Sequence, residues 1–439
     1  MTGFSRRRRA RRHGAARLWS VSGAAIALVG FGAGQAQAAD LPPEPVAIDY
    51  VRACGAAGVG YYAIPGTNTC LSVSGEIDID YIFNWAKGEQ EPRWREADNS
   101  DFYVEAKLYL YSTTQTEFGA LDTTTEIEIV HDINGAAQLS LEQAFVQFRG
   151  FSFGRGESFY DAANYVTWAE VYDPAQSDLK TTFAAYTAEF GKGFSATISA
   201  ESSAERQLGV ALYPYSGPLG AGTIYPDELG YGPQGNGYGG TKWPDAVGRL
   251  MTTGDWGSAQ VTGALHQVYA AYDGSGVTPK GGLGWAVGAA ATANLPNNVT
   301  LVANGTYSQG AAAYANGSWF GLPNQGTLAY DASYDPASGD LALATAFSMS
   351  FGAAFDVAAA QLAVQAGWSR FEDSTLQDVS GGANSADFNQ YDLQAQIGFE
   401  PVNGLTLGVG AEYQYLDHDD PLIGEEQQLS TYFHVDRVF

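Results

Sequence analysis

The sequence predicts an all-β protein built as a sixteen-stranded transmembrane β-barrel, and three observations carry that expectation. Apolar and polar residues alternate with period 2 in sixteen segments between residue 71 and Phe439. Most segments are long enough to cross a bilayer, which takes about 9 to 11 residues in a tilted strand, whereas strands of water-soluble domains run to about 5 or 6. The polar faces hold carboxylates in mid-strand while the apolar faces end in Tyr, Phe and Trp, the pattern of a lipid-facing band between aromatic girdles. Helical signals are sparse in a chain with 54 glycines among 439 residues and 13% aromatic residues.

The chain opens with "MTGFSRRRRARRHGAARLW", seven arginines and no acid, followed by the short apolar run "SVSGAAIALVGFGAG". Ala36-Gln37-Ala38 fits the small-x-small cleavage rule, so residues 1–38 are expected to be a signal peptide and residues 39–439 the mature barrel. A membrane anchor is the alternative, but the run falls short of the roughly 20 apolar residues of a spanning helix. Loss of the seven leader arginines leaves 15 of 22 bases against 48 acids, a mature net charge of −33. That excludes a nucleic-acid partner, which needs a basic footprint. It fits either a solvated acidic surface or an acidic cavity that collects cations.

Residues 39–70 form an N-terminal segment around Cys54 and Cys70, the only two cysteines. They lie 16 apart in an exported chain with no His or second Cys pair nearby, so a structural disulfide is favoured over zinc. The first strand, "CLSVSGEIDIDYIFN", sets Leu71, Val73, Ile77, Ile79, Tyr81 and Phe83 against Ser72, Ser74, Glu76, Asp78 and Asp80. The second, "DFYVEAKLYLY", opposes Phe102, Val104 and Leu108 to Tyr103, Glu105, Lys107 and Tyr109. Further strands start near 121 (with Glu126 and Glu128 on its polar face), 138, 150, 180, 194, 244, 256, 283, 297, 341 and 355. "LEQAFVQF" slips parity near Gln143, which a β-bulge explains. "YDLQAQIGF", "GLTLGVGAEYQY" and the terminal "STYFHVDRVF" complete the set, the last placing Phe433, Val435 and Phe439 opposite Tyr432, His434 and Asp436. In a barrel of this size the lumen is open and water-filled. The residues expected to line it are Glu76, Asp78, Asp80, Glu105, Lys107, Glu126 and Glu128.

Two catalytic-looking motifs carry no chemistry. "GFSFG" at 150–154 matches a nucleophile elbow, yet its serine sits inside an alternating strand with no helix after it. "GNGYGG" at 235–240 has no strand–helix context for a dinucleotide. No enzyme, cofactor or resident metal is expected, because His131, His266, His418 and His434 are scattered. "DHDDP" and "DPASGD", near 417 and 335, are loop acids that could collect Ca²⁺, with solvation the favoured reading.

"PEPVAIDYVRACGAAGVGYYAIPGTNTCLSVSGEIDID", with its Cys-bounded "IPGT", resembles the N-terminal signature of alphaproteobacterial general porins. "GKGFSATISAE", "WPDAVGRL…GDWGSAQVTGAL" and the final "VDRVF" are also similar to that family. The resemblance implies an antiparallel barrel with short periplasmic turns, an inward-folded third external loop, a homotrimer and an outer-membrane location among lipid and lipopolysaccharide. It places the constriction loop at 156–180, with Glu157, Asp161, Glu170, Asp173 and Asp178 as its acids. Facing bases are few: Lys107 has the right parity, and Arg149, Arg155 and Lys180 flank the loop in sequence. A cation-preferring channel for passive diffusion of small hydrophilic solutes and ions follows. A substrate-selective channel, for sugars for example, or a secreted β-rich hydrolase are the alternatives. Residues 206–243, Gly-, Tyr- and Pro-rich from 214, read as a long external loop or lid. A terminal aromatic is what barrel-assembly machinery reads, so Phe439 resembles an assembly signal as well as an anchor.

Overall fold

The structure, a computed structural model, describes residues 52–439 except 56, 88–98, 133–134, 163, 213–236, 273–275, 318–319, 323–326, 336, 358, 373–386 and 420–424. The expected signal peptide, most of the 214–243 run and Asp420 lie outside the described residues. Sixteen strands form one closed antiparallel sheet. They are β1 (Thr69–Lys87), β2 (Ser100–Thr116), β3 (Gly119–Asp132), β4 (Gln138–Phe148) and β5 (Phe151–Glu157). β6 (Lys180–Gly191), β7 (Phe194–Glu201), β8 (Asp245–Gly254), β9 (Gly257–Tyr269), β10 (Gly281–Leu295) and β11 (Val299–Gln309) follow. β12 (Thr345–Val357), β13 (Ala360–Glu372), β14 (Phe388–Val402), β15 (Leu405–His418) and β16 (Glu425–Val438) complete the wall. Each strand pairs with its sequence neighbours, and β16 returns to β1 from Gln427↔Lys87 to Val438↔Glu76. The ladder therefore has no free edge, as lipid requires of any sheet that crosses it.

Period 2 decides which side chains meet the outside. Val73, Ile77 and Phe83 of β1 and Leu250 of β8 are exposed on the outer face, while Glu76, Asp78 and Asp80 are buried on the inner one. Phe433 points out and Tyr432, His434 and Asp436 point in, as the alternation requires. Aromatics crowd the strand ends: Phe151 meets Tyr186 at 4.8 Å, and Trp285 meets Tyr307 at 5.5 Å. The bulge in β4 is present as a register shift. Glu126 pairs with Gln143 and Ile127 with Leu141, so Glu142 is skipped.

Connections alternate in length. Two- or three-residue turns join β2–β3, β4–β5, β6–β7, β8–β9, β10–β11, β12–β13 and β14–β15, and the longer connections all leave the other end. The β4–β5 turn has both central residues at positive φ, Arg149 at 52° and Gly150 at 86°, the requirement of a type I′ hairpin. Arg149 thus sits at the short-turn end, opposite the long connection it was grouped with in sequence. The Cys54–Cys70 disulfide also lies there, tying a two-residue strand pair (Arg52–Ala53 with Tyr62–Ala63) to the start of β1.

Two boundaries differ from the periodicity. The strand expected near 341 begins at Thr345, because Leu341–Leu343 pairs with Ala332–Tyr334 in a separate three-stranded sheet. The one expected near 355 begins at Ala360, because the preceding alternation carries β12 on to Val357. The long connection 310–344 is the larger surprise. It holds a helical turn, α1 (Ala313–Asn316), and packs Ala312, Ala313, Phe320 and Tyr330 against Ala346, Phe371, Phe388 and Leu416 on the inner wall.

Candidate functional site

The barrel interior is where the polar side chains converge, and the connection between β5 and β6 bonds to several of them. The backbone of this segment is held by inward-facing amides and carboxylates of distant strands. Gln365 of β13 accepts from Val166 N (3.0 Å), Gln396 of β14 from Trp168 N, and Glu412 of β15 from Glu170 N (2.7 Å) and Val171 N (3.1 Å). Gln394 donates to Tyr172 O at 2.8 Å, and Asn164 donates to the carbonyls of Ala291 and Ala303 on β10 and β11. These partners satisfy backbone groups that a loop buried in this way would otherwise leave bare. Gln394, Gln396 and Glu412 belong to strands whose polar face is plain in the sequence; their role as a cradle for residues 222 to 242 positions away is not.

The structure distributes the expected loop acids among different partners. Asp161 takes the Leu179 amide (2.7 Å) and a two-pronged bond from Arg206 (2.9 and 3.0 Å), with both side chains buried. Glu170 lies 3.5 Å from His434 Nδ1, which also faces Asp78 and Asp80. Asp173 and Asp178 are buried within the segment. Glu157, at the end of β5, lines the cavity described below.

The seven residues expected along the lumen all lie on the inner face, buried. Lys107 pairs with Glu105 at 2.9 Å, Tyr109 Oη donates to Glu76 at 3.2 Å, and Gln143 donates to Glu126 at 2.6 Å. None of the seven lines the cavity of about 920 Å³ that runs from residues 157–166 to the short-turn end. Amides and hydroxyls dominate its polar lining, among them Gln143, Asn164, Ser258 and Gln260, and its charged members are Glu157, Asp161 and Arg249.

Arg249 and Arg206 are the bases that the sequence reading passed over. Arg249 sits between Val247 and Met251 on the inner face of β8, which Asp245 shares; its guanidinium lies 5.0 Å over Phe159. Arg206 sits in a 3₁₀ turn, Ala204–Arg206, after β7. Besides Asp161 it reaches Ser177 Oγ and Ala313 O (3.2 Å), and it stacks 4.2 Å over Tyr314. Tyr314 Oη donates to Asp245, which also contacts His266 at 2.8 Å. Asp331 accepts from Tyr238 Oη (2.6 Å), Leu208 N (3.0 Å) and Ala312 N (2.8 Å). Burial pushes the Asp331 carboxyl above the usual carboxylate range, against the pull of His266 and those donors. Three connections, after β5, β7 and β11, are thereby joined in one buried network.

Of the remaining motifs, Ser152 of "GFSFG" lies within β5 and accepts from Gln147 at 3.3 Å. Three of the loop acids considered for Ca²⁺, Asp335, Asp340 and Asp419, have protein partners. Lys280 pairs with Asp340 at 2.6 Å, Asp335 accepts from Ser338 and Ala337, and Arg370 grips Asp419 at 2.7 and 3.1 Å.

The family model of the porin subfamily matches residues 39–436. The chain is 29% identical over 315 residues to porin Omp2b of Brucella suis, an alignment covering 68% of this chain and 76% of that one. It is 30% identical to porin Omp2b of Brucella abortus (strain 2308), with the same coverage. Among solved structures, the outer membrane channel DcaP of Acinetobacter baumannii superposes with a TM-score of 0.62 at 12% identity, covering 85% of this chain and 98% of that one. OmpF of Salmonella typhi gives 0.50 at 13%, covering 86% and 99%. The closed barrel and the match over residues 39–436 lead to one conclusion: the chain belongs to the porin subfamily, β-barrels of the Gram-negative outer membrane.

Proposed function

We propose that the protein is a passive diffusion channel for small hydrophilic solutes and ions, working as a homotrimer amid lipid and lipopolysaccharide, and preferring cations. The observation that carries this reading is the cavity beneath residues 157–166, whose lining is mostly amide, hydroxyl and small side chains. Such a lining solvates a passing molecule without holding it. The hydrogen bonds that fix residues 158–179 to five distant strands support a role for that segment as the constriction, with Glu157 on the loop side and Arg249 on the wall.

Charge sets the sign of selectivity. Glu76, Asp78, Asp80, Glu105, Glu126 and Glu128 are inward-facing, while the bases set into the same wall, among the described residues, include Lys107, Lys180 and Arg249. Low-dielectric walls concentrate that negative field on the lumen. Screening acts over about 8 Å at physiological salt, so the preference weakens as salt rises. Under a KCl gradient across a planar bilayer, the reversal potential should favour K⁺; a potential favouring Cl⁻ rejects the acidic-lumen argument.

A solute-selective channel is the second reading, and the pairing of Arg249 with Phe159 inside the cavity favours it. Saturable block of current by one solute distinguishes it from general diffusion, in which conductance scales with bulk concentration.

A further inference from the structure

We propose that Asp78, Asp80, Glu170 and His434 bind one divalent transition-metal ion, of the class of Zn²⁺ or Mn²⁺, between the barrel seam and the β5–β6 connection. The four residues come from three separate stretches, β1, the connection and β16, and each is buried. His434 Nδ1 lies 2.9 Å from Asp80 Oδ1, 3.3 Å from Asp78 Oδ1 and 3.5 Å from Glu170 Oε1. One donor atom from each residue falls within 4.8 Å of all the others. Ligands bound at about 2.0 to 2.2 Å stand roughly 3.0 to 3.5 Å apart around a tetrahedral or octahedral ion. The distances from Nδ1 are already of that size.

A neutral imidazole presents one N–H to three carboxylates. An imidazolium adds a second N–H at Nε2, which is buried with no hydrogen-bond partner among the described residues. Further acids stand nearby: Asp436, Asp78 and Glu105 lie directly opposite one another across β16, β1 and β2, with Lys107 paired to Glu105 at 2.9 Å. Like charges in such register repel, and a dication offsets them.

The wall is also shaped to hold the imidazole still. Trp168 stacks on the His434 ring at 4.2 Å and 25°. Its indole occupies space that Gly398 and Gly408 leave open, since a Cβ at Gly398 would come within 2.9 Å of it and one at Gly408 would collide. An imidazole among carboxylates selects ions such as Zn²⁺, Mn²⁺ or Co²⁺ over Ca²⁺, which takes oxygen ligands. Bound there, the ion would pin Glu170 to the seam.

The test is titration of the detergent-solubilised, metal-stripped protein with ZnCl₂ and, separately, CaCl₂. The expected result is one Zn²⁺ per chain, with affinity reduced by more than tenfold in His434→Gln and in Asp80→Asn. Binding that is absent, that is unchanged in both variants, or that is as tight for Ca²⁺ as for Zn²⁺ overturns the proposal. Should the variants fail to assemble, pulsed electron paramagnetic resonance of Mn²⁺ on the unaltered protein decides. Coupling to one imidazole nitrogen supports the site, and its absence overturns it.

Discussion

Replacing Arg206 by Met should release the inward segments while leaving the barrel standing. The guanidinium and the Asp161 carboxylate are each 1% exposed, so their interaction is little screened by solvent. Arg206→Met removes both bonds to Asp161, the bonds to Ser177 and Ala313, and the stacking on Tyr314. Asp161 then keeps the Leu179 amide as a donor. Removing one partner of a buried ion pair costs about 3 to 5 kcal/mol, which corresponds to roughly 2 to 3.5 decades in an opening equilibrium at about 1.4 kcal/mol per decade. Hydrogen exchange followed by mass spectrometry should show peptides from 158–179 and 311–317 exchanging faster by that factor. Peptides from the β2–β3 ladder should not change. The double variant Asp161→Asn/Arg206→Met should regain part of the protection, because no charge is left buried alone. Unchanged exchange in both segments, in a variant that still forms trimers, would refute the assignment of Arg206 as the hub of the network.

Other perturbations act on separate parts. Arg249→Ala should move the KCl reversal potential further towards K⁺, and a shift towards Cl⁻ would show that Arg249 does not set the lumen field. Gly75 exchanges both backbone bonds with Phe439 at 2.8 and 2.9 Å, and a Cβ there would sit 2.6 Å from the Phe439 ring. Gly75→Val should therefore lower the yield of heat-stable barrel in outer-membrane fractions, as should deletion of Phe439, with export across the inner membrane unaffected. Reduction of Cys54–Cys70 should cost at most about 3 kcal/mol for a loop of this length and loosen only the N-terminal strand pair, so single-channel conductance should persist. Loss of conductance on reduction would tie that loop to the pore.

The wall was legible because period 2 is a local signal repeated sixteen times, and each strand carries its own inner and outer face. The β4 bulge showed for the same reason, as a break in parity at Glu142. What fills the wall was not legible. The β5–β6 connection is seated by Gln394, Gln396 and Glu412, more than 220 residues downstream, and no spacing rule links them. The connection 310–344 contains "GAAAYANGSWFG", without charge or period, and its burial follows only from the apolar inner ends of β13, β14 and β15. Arg249 was flanked by Val247 and Met251 on its own face. Parity predicted that the acids point inward; it could not say that they would be packed among partners and not along the cavity.

The seam between β16 and β1 also bears on how the chain is made. His434 meets Asp80 across 354 residues of sequence, and β16 completes the ring with β1. A chain cut short before β16 would hold two bare ladder edges, each a row of amides and carbonyls with no water to satisfy them in lipid. Closure is thus a test of length, made where β16 meets β1. A strand missing anywhere along the wall is detected at one place, by whether the two ends meet.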